Sequence, residues 1–134
     1  MKNSILLTLL LLIVAGCGGG KVGLSGKVVY SDDKSPVPMG VVCLETEKFL
    51  ARGNIKPDGT FDVGSISEKD GLPPGTYRVY VSDARRIVGQ DKDGSDIYEQ
   101  LIDPKYTAAA TSGLTINITS STKNFEIVVD RYQK

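Results

Sequence analysis

Histidine is absent from the 134-residue sequence, and cysteine occurs only twice. Histidine is the side chain that most often transfers protons in enzymes, and it is also the commonest metal ligand. Serine triads and histidine-based metal sites are therefore excluded by the composition. Neither sign of charge is in excess, because sixteen basic residues balance sixteen acidic ones. A nucleic-acid-binding protein would show a basic excess, so we expect no nucleic-acid partner. Because histidine is absent, we also expect no enzymatic activity.

The first residues have the features of a secretion signal. Lys2 gives a positive start, and residues 5–14 are apolar except for Thr8. This run is shorter than the roughly 20 residues that a membrane-spanning helix needs, so residues 1–16 are interpreted as a signal peptide. The motif Val-Ala-Gly-Cys at residues 14–17 resembles the bacterial lipobox, whose cysteine is acylated and becomes the new N-terminus. An ordinary signal peptide that is cleaved elsewhere is the alternative.

Cys17 is the lipidation site that this motif predicts, and residues 17–23 are predicted to form a lipid-anchored flexible linker. Gly18 is not the aspartate that retains lipoproteins at the inner membrane of well-studied bacteria, which favours the outer membrane. If Cys17 carries lipid, Cys43 has no partner for an intramolecular disulfide. Cys43 lies in an apolar run, where a free cysteine packs as a small hydrophobe.

One stretch has the strongest strand pattern in the chain, and it begins after Pro73 and Pro74. From Gly75 to Ser82 the side chains alternate, and the prolines prevent an earlier start because they donate no backbone hydrogen bond. We therefore expect this strand to be central in a sheet. Turn residues separate it from further alternating or apolar runs, and no sustained helical period occurs. The predicted strands are residues 24–30, 41–46, 49–55, 60–63, 75–82, 114–119 and 124–130.

This pattern predicts an all-β sandwich of seven strands that spans residues 24–134 as one domain. The turn at residues 56–59 contains Pro57 and Gly59 and is expected to close a hairpin. Residues 84–100 are interpreted as a long loop that leaves the core. Among the tyrosines, Tyr80, Tyr98 and Tyr106 are expected to be freer than those of the core. The predicted core residues are Val28, Tyr30, Leu44, Phe61, Val63, Tyr77, Val79, Val81, Leu114, Ile116, Ile118, Phe125, Ile127 and Val129.

Several short motifs follow one another in an informative order: "LSGKVVYSDDKSPVPMGVVCL", "IKPDGTFDV", "LPPGTYRVYV", "LIDPKYTAAATSGLTINI" and "KNFEIVVD". With the lipobox before them, they resemble the small transthyretin-like, carboxypeptidase-regulatory-like lipoproteins of planctomycetes and related bacteria. The resemblance implies a prealbumin-like Greek-key sandwich at the cell envelope, and it implies no catalytic residues. The sequence departs from the pattern at Met39-Gly40 and over residues 85–99.

An acidic segment within this departure is the best candidate for a metal site. Asp91, Asp93, Asp96 and Glu99 lie around Gly94, and alternating oxygen ligands around a glycine can bind Ca²⁺. The spacing does not match an EF-hand loop, in which glycine is sixth and a glutamate is twelfth. A solvated acidic turn is the alternative, in which the adjacent arginines at 85–86 form ion pairs with the acidic residues.

Together these observations predict a lipid-anchored protein of the bacterial cell envelope, on the outer membrane or on the periplasmic face of the inner membrane. The leading hypothesis is a non-catalytic binding or scaffolding module with no cofactor, whose partner is an envelope protein or a glycan. The alternative is a calcium- or ligand-dependent sensor that uses residues 91–99.

Overall fold

The computed structural model describes residues 20–64, 71–119 and 124–134. The predicted signal peptide at 1–16, the predicted lipidation site Cys17 and the first part of the linker lie outside these residues. Within them the chain forms nine strands, a short 3-10 helix at Pro104–Thr107 and a single helical turn, α1, at Ala109–Ser112. The strands are β1 (Ser25–Tyr30), β2 (Val41–Glu45), β3 (Leu50–Asn54), β4 (Thr60–Asp62), β5 (Gly75–Ser82), β6 (Arg85–Gln90), β7 (Asp96–Gln100), β8 (Leu114–Ile118) and β9 (Asn124–Val129).

Seven of these strands form two sheets that pack into a sandwich. One sheet has the order β4-β1-β9, and the other has the order β3-β2-β5-β8. Strand β1 pairs parallel with β9, whereas the other pairings are antiparallel. The seven strands are the seven that the sequence predicts, so the all-β sandwich is confirmed. Strands β6 and β7 form a separate two-stranded sheet.

Strand β5 is an interior strand of the four-stranded sheet, as its regular alternation predicts. It pairs with β2 on one side and β8 on the other, with Val81 opposite Val42 and Tyr77 opposite Ile116. Tyr77, Val79 and Val81 are almost completely buried. The Tyr77 hydroxyl donates a hydrogen bond of 2.7 Å to the carbonyl oxygen of Pro73, which satisfies the polar end of this core side chain.

The core lies between the two sheets, and eleven of the fourteen predicted core residues are buried there. The other three, Leu114, Ile116 and Phe125, only pack against the core from its margin and remain partly exposed. They belong to β8 and β9, which are edge strands of the two sheets. An edge strand has no neighbour on one side, so its inward side chains are incompletely covered. The prediction of full burial was wrong at these three positions for that reason.

The whole core cluster is built from residues between Leu24 and Val129. It includes Leu72 and Ile102, which the alternation of the strands did not predict because both lie in connecting segments. Tyr106 is also buried, with 8% of its surface exposed, so the prediction of a freer tyrosine was wrong there. A protein that starts at residue 18 therefore contains every core residue, and we expect it to fold without the preceding segment.

Residues 84–100 are the clearest difference from the sequence-based prediction. They form the β6-β7 hairpin and not a loop. The predicted departure from the core is nevertheless present, because every residue of the two strands is exposed except the half-buried Glu99. The alternation of apolar and polar side chains identifies a strand only when one of its faces is buried. A hairpin that is exposed on both faces lacks this alternation, so the sequence does not predict it as strands.

The two ends of the sandwich differ in what they carry. The chain enters where β1 and β5 begin, and the Val22 N–H donates to the Leu72 carbonyl at 2.8 Å just before these strands. We call this the proximal end. Strand β5 runs away from it and finishes at Ser82, opposite Val41 at the start of β2. The β6-β7 hairpin follows directly, so it leaves the sandwich from the opposite, distal end.

Candidate functional site

The β6-β7 hairpin is the most exposed ordered element of the described chain. Its strands pair antiparallel, with Ile87 opposite Tyr98, and a bulge places Val88 as an extra residue in β6. The turn is held by Asp91, whose carboxylate accepts hydrogen bonds from the backbone N–H groups of Asp93 and Ser95 at 2.9 and 3.0 Å. Gly94 adopts the left-handed conformation that this turn needs, with φ of 83°.

The root of the hairpin is fixed in the sandwich. Ala84 and Ile102, which flank the two strands, are 3% and 1% exposed and belong to the core. The Leu101 N–H donates to the Ala84 carbonyl at 2.9 Å, which closes the base of the hairpin. The Asp103 N–H donates to the Asp130 carbonyl at 2.9 Å and so ties the base to the end of β9. The hairpin is thus a projecting element on a rigid root.

Apolar side chains are displayed on the hairpin. Ile87 and Val88 are 57% and 55% exposed, and Ile97 and Tyr98 are 46% and 44% exposed. We call these four residues the hairpin patch. A groove of about 450 Å³ lies beside them, and Tyr132 from the C-terminal segment contributes to its lining. Clusters of exposed apolar residues are typical of interaction surfaces.

Both signs of charge occur at each end of the hairpin, with a basic excess in residues 83–86 and an acidic excess in residues 91–93. Arg86 forms an ion pair of 2.6 Å with Glu99 on the neighbouring strand, which confirms the predicted pairing with the acidic segment for Arg86. Arg85 instead lies 3.8 Å from the Asp83 carboxylate, outside that segment. Arg85 lies over the Tyr98 ring, 4.2 Å from its centroid.

The four carboxylates of the proposed calcium site are distributed over the turn and β7. Asp91 caps the turn, Asp96 accepts a hydrogen bond of 3.2 Å from the Gln90 amide, and Glu99 pairs with Arg86. Within residues 20–64, 71–119 and 124–134, no three side chains of the metal-binding types come together as a metal site. Calcium binding by Asp91, Asp93, Asp96 and Glu99 stays a prediction.

A network of charged groups lies beside the hairpin root at the distal end. The Arg131 guanidinium stacks over the Tyr30 ring at 3.7 Å. Its Nε donates to Asp32 at 2.7 Å, and its terminal nitrogen donates to Asp33 and to the Ser35 hydroxyl. Hydrogen bonds from Ser35, with a further contribution from Arg131, hold the pKa of Asp33 well below its usual range. The network joins the loop after β1 to the segment after β9.

Asp130 forms the second part of this network. Its carboxylate accepts hydrogen bonds from the Lys105 ammonium at 2.8 Å, the Ser31 hydroxyl at 2.6 Å and the Tyr106 hydroxyl at 3.1 Å. These donors, with Lys105 as the largest influence, lower the pKa of Asp130 to about 2. The network has the character of a structural brace, because each charged group in it already has partners.

Cys43 and Tyr80 lie opposite each other in the register of β2 and β5, on the outer side of the four-stranded sheet. Cys43 is a buried free cysteine, as the sequence predicts. Its sulfur lies 3.8 Å from the Ser82 hydroxyl and 3.8 Å from the Val41 carbonyl. Burial raises the pKa of Tyr80, and Cys43 adds to the shift. Tyr80 and Tyr98 lie on different sheets, so they do not form a common stacking platform.

Further grooves occur on the described part of the sandwich. One of about 600 Å³ lies along the three-stranded sheet, and ion-paired Lys56 and Asp62 border it at 3.3 Å. One of about 300 Å³ lies beside Leu24. Another of about 270 Å³ lies in the gap between edge strands β8 and β9, where Leu114 and Phe125 are only partly covered. None of these three grooves is lined by the exposed large apolar side chains that line the hairpin groove.

Sequence reasoning missed the apolar members of the hairpin patch. Ile87, Val88 and Ile97 lie among charged residues, in the segment that the sequence predicts to be a loop. One signal could have found them, because Asp93-Gly94 is a favoured hairpin-turn dipeptide and short β-prone runs flank it.

No protein-family model and no curated protein sequence matches the chain. Among solved structures, the major pilin subunit BcpA of Bacillus cereus is 13% identical with a TM-score of 0.49, over 84% of this chain and 31% of the pilin chain. A DUF3823 family protein from Bacteroides ovatus is 17% identical with a TM-score of 0.45, over 84% of this chain and 45% of the other.

A 9R-lipoxygenase from Cyanothece is 17% identical with a TM-score of 0.44, over 83% of this chain and 17% of the enzyme. The chain thus spans less than half the length of each of these three proteins. Likenesses at this level support no argument about activity or partner.

Proposed function

We propose that this protein is a non-catalytic binding or scaffolding module of the bacterial cell envelope, anchored through lipid on Cys17. The observation that carries the proposal is that the chain entry and the hairpin lie at opposite ends of the domain. The chain enters the sandwich at the proximal end, and the hairpin patch is displayed from the distal end. A module anchored at one end and exposing apolar side chains at the other is suited to hold a partner away from the membrane.

The length of the linker supports this arrangement. Four residues lie between Cys17 and Val22, whose backbone pairs with Leu72. A fully extended chain covers about 3.4 Å per residue, so these five residue steps would keep the proximal end within roughly 17 Å of the lipid. The eight residues of β5 span about 26 Å towards the distal end. A lipid on Cys17 would therefore hold the proximal end near the membrane, while the hairpin root can lie further from it.

The chemistry of the domain supports a role without catalysis. The sequence offers no histidine for proton transfer. In the part of the chain that the structure describes, every buried side-chain nitrogen and oxygen has a hydrogen-bond partner. The hairpin itself offers apolar and ion-paired groups, which suit recognition of another surface. We propose an envelope protein, rather than a small molecule, as its partner.

Two measurements on cells test the proposal. Labelled palmitate should enter the wild-type protein, whereas Cys17→Ala should abolish the label. A photo-crosslinking residue at Ile97 should then yield adducts of defined mass in the envelope, and the same residue at Thr115, exposed on β8, should yield none. Labelling that persists in Cys17→Ala would overturn the anchor. Equal adducts at both positions would overturn the role of the hairpin.

A further inference from the structure

The outer edge of β6 is the part of the hairpin that can accept another strand. Among the described residues, β6 pairs with β7 alone, so its other edge carries unpaired backbone groups. Such edges invite pairing with a further strand unless charges or irregular geometry protect them. The centre of this edge is Ile87 and Val88, both more than half exposed, and the bulge at Val88 is its only irregularity in the register with β7.

The charge distribution along β6 selects the kind of strand that fits. The root, residues 83–86, carries Asp83, Arg85 and Arg86 and is net positive, whereas the turn, residues 91–93, carries Asp91, Lys92 and Asp93 and is net negative. An identical strand laid antiparallel would place the acidic end of each copy beside the basic end of the other. A parallel arrangement would place like charges side by side, which is unfavourable. The edge is therefore complementary to itself.

We propose that a second copy of this chain pairs with β6 in the antiparallel sense, which produces a four-stranded sheet of the order β7-β6-β6-β7. This inference rests on the proposed function, because it names the partner of the hairpin. With the two-fold axis at Val88, the register places Arg85 of each copy opposite Asp91 of the other. Val88 of one copy then meets Val88 of the other at the centre.

The arrangement also covers apolar surface. Val88 of one copy covers Val88 of the other at the axis, Ile87 of each copy lies one residue from it, and closed two-fold symmetry limits the assembly to a dimer. Arg86 keeps its ion pair with Glu99 within each hairpin. The Arg85 side chain has to turn from Asp83 and from the Tyr98 ring towards Asp91 of the second copy. Because Asp91 caps its turn with one carboxylate oxygen, its other oxygen is available to Arg85 of the second copy.

Sedimentation velocity of the protein from residue 18 onward tests the inference directly. We expect a monomer–dimer equilibrium that shifts towards dimer with concentration. Val88→Lys places two ammonium groups at the axis and should weaken dimerisation about tenfold or more, whereas the similarly shaped Val88→Thr should retain it. Lys48→Glu, at the proximal turn between β2 and β3, controls for charge changes elsewhere.

Charge reversal gives a second and sharper readout. Arg85→Glu should weaken self-association, and Asp91→Lys should do the same. A mixture of these two variants should form a heterodimer, because both 85–91 contacts across the axis are then between opposite charges, whereas each variant alone would have two like-charge contacts. Thermal melting of each variant tests whether the sandwich is intact. Because the substituted side chains are exposed, we expect the melting temperature of the wild type.

The outcomes separate this inference from the proposed function. A protein that stays monomeric at every concentration overturns the self-pairing, as does a dimer that is insensitive to Val88→Lys. Binding of a different envelope protein to the hairpin by a monomeric domain would also overturn it, while leaving the proposed function intact. Loss of palmitate labelling or of Ile97 adducts bears on the proposed function alone.

Discussion

Replacing Gly26 with alanine probes how closely the strands of the three-stranded sheet approach each other and the core. Gly26 lies in β1, opposite Phe61 of β4 and Phe125 of β9. A Cβ atom at this position would lie 2.7 Å from the Cζ atom of Phe61, and closer still to the carbonyl oxygen of Phe125. Cβ atoms in proteins essentially never approach other heavy atoms within 3.0 Å. The substitution therefore forces part of the structure to move.

The loss of stability that Gly26→Ala causes depends on which atoms must move. The Phe61 ring can shift, but the Phe125 carbonyl belongs to the backbone of β9, so β1 and β9 must separate locally. Overpacking of this kind costs about 1–3 kcal/mol, and the involvement of backbone places Gly26→Ala at the upper end, about 3 kcal/mol. For a domain of this size, about 4 °C of melting temperature corresponds to 1 kcal/mol, which predicts a decrease of roughly 12 °C.

Thermal melting by circular dichroism of the protein from residue 18 onward measures this decrease. Gly23→Ala is the matched control, because a Cβ there has no neighbouring atom within 4 Å. We expect the control to melt between the wild-type temperature and about 4 °C above it, since nothing in the folded state opposes the added methyl group and alanine restricts the unfolded chain. Equal melting temperatures for Gly26→Ala and the wild type would refute the close approach of β1, β4 and β9.

Three further predictions concern the core, the distal network and the acidic turn. Val79→Ala should lower the free energy of unfolding by about 2–4 kcal/mol in urea denaturation, since Val79 is 1% exposed in the central strand; an unchanged midpoint would contradict its central position. Because the pKa of Asp130 is lowered to about 2 in the folded protein, its contribution to stability is present above the unfolded value of about 3.9 and is lost as the pH falls from about 4 to about 2. Asp130→Asn should flatten the pH dependence of unfolding in that window, and a curve as steep as the wild type would count against the network around Lys105. Calorimetry with Ca²⁺ should give no binding under the scaffolding hypothesis, whereas binding tighter than millimolar that Asp93→Ala abolishes would establish the calcium-sensor alternative.

The sandwich could be predicted from the sequence because its strands have one buried face. In β5 the alternation of Tyr77, Val79 and Val81 with polar residues reports directly which face meets the core. The sequence did not predict burial correctly where burial depends on neighbours that are distant in sequence. Leu114 and Phe125 show the same alternation as fully buried residues, but their strands are at the edges of the sheets. The local sequence does not determine the order of the strands in a sheet, so it does not predict which strands are at an edge.

The candidate site was harder to predict for a different physical reason. A hairpin exposed on both faces does not need a regular apolar face, so β6 and β7 resemble a polar loop with scattered apolar residues. The sequence predicted a pairing of the arginines with the acidic segment in general, but not the particular pair of Arg86 with Glu99, because these residues are 13 apart and meet only across the hairpin. The hairpin patch was not predicted either, because its members meet only through the antiparallel register that places Ile87 opposite Tyr98.

Disulfide trapping in intact cells tests the claim that the hairpins of two copies pair with each other in the cell envelope. Residues that face each other across antiparallel strands have Cα atoms about 4.5–5.5 Å apart, which is within the range of a disulfide. Disulfides form in the envelope but rarely in the cytosol. In the protein that carries Val88→Cys, we predict a disulfide-linked dimer in the membrane fraction on a non-reducing gel. In the protein that carries Lys48→Cys, we predict only monomer. Monomer alone in both proteins, or dimer in both, would contradict the pairing of β6 with β6 of a second copy.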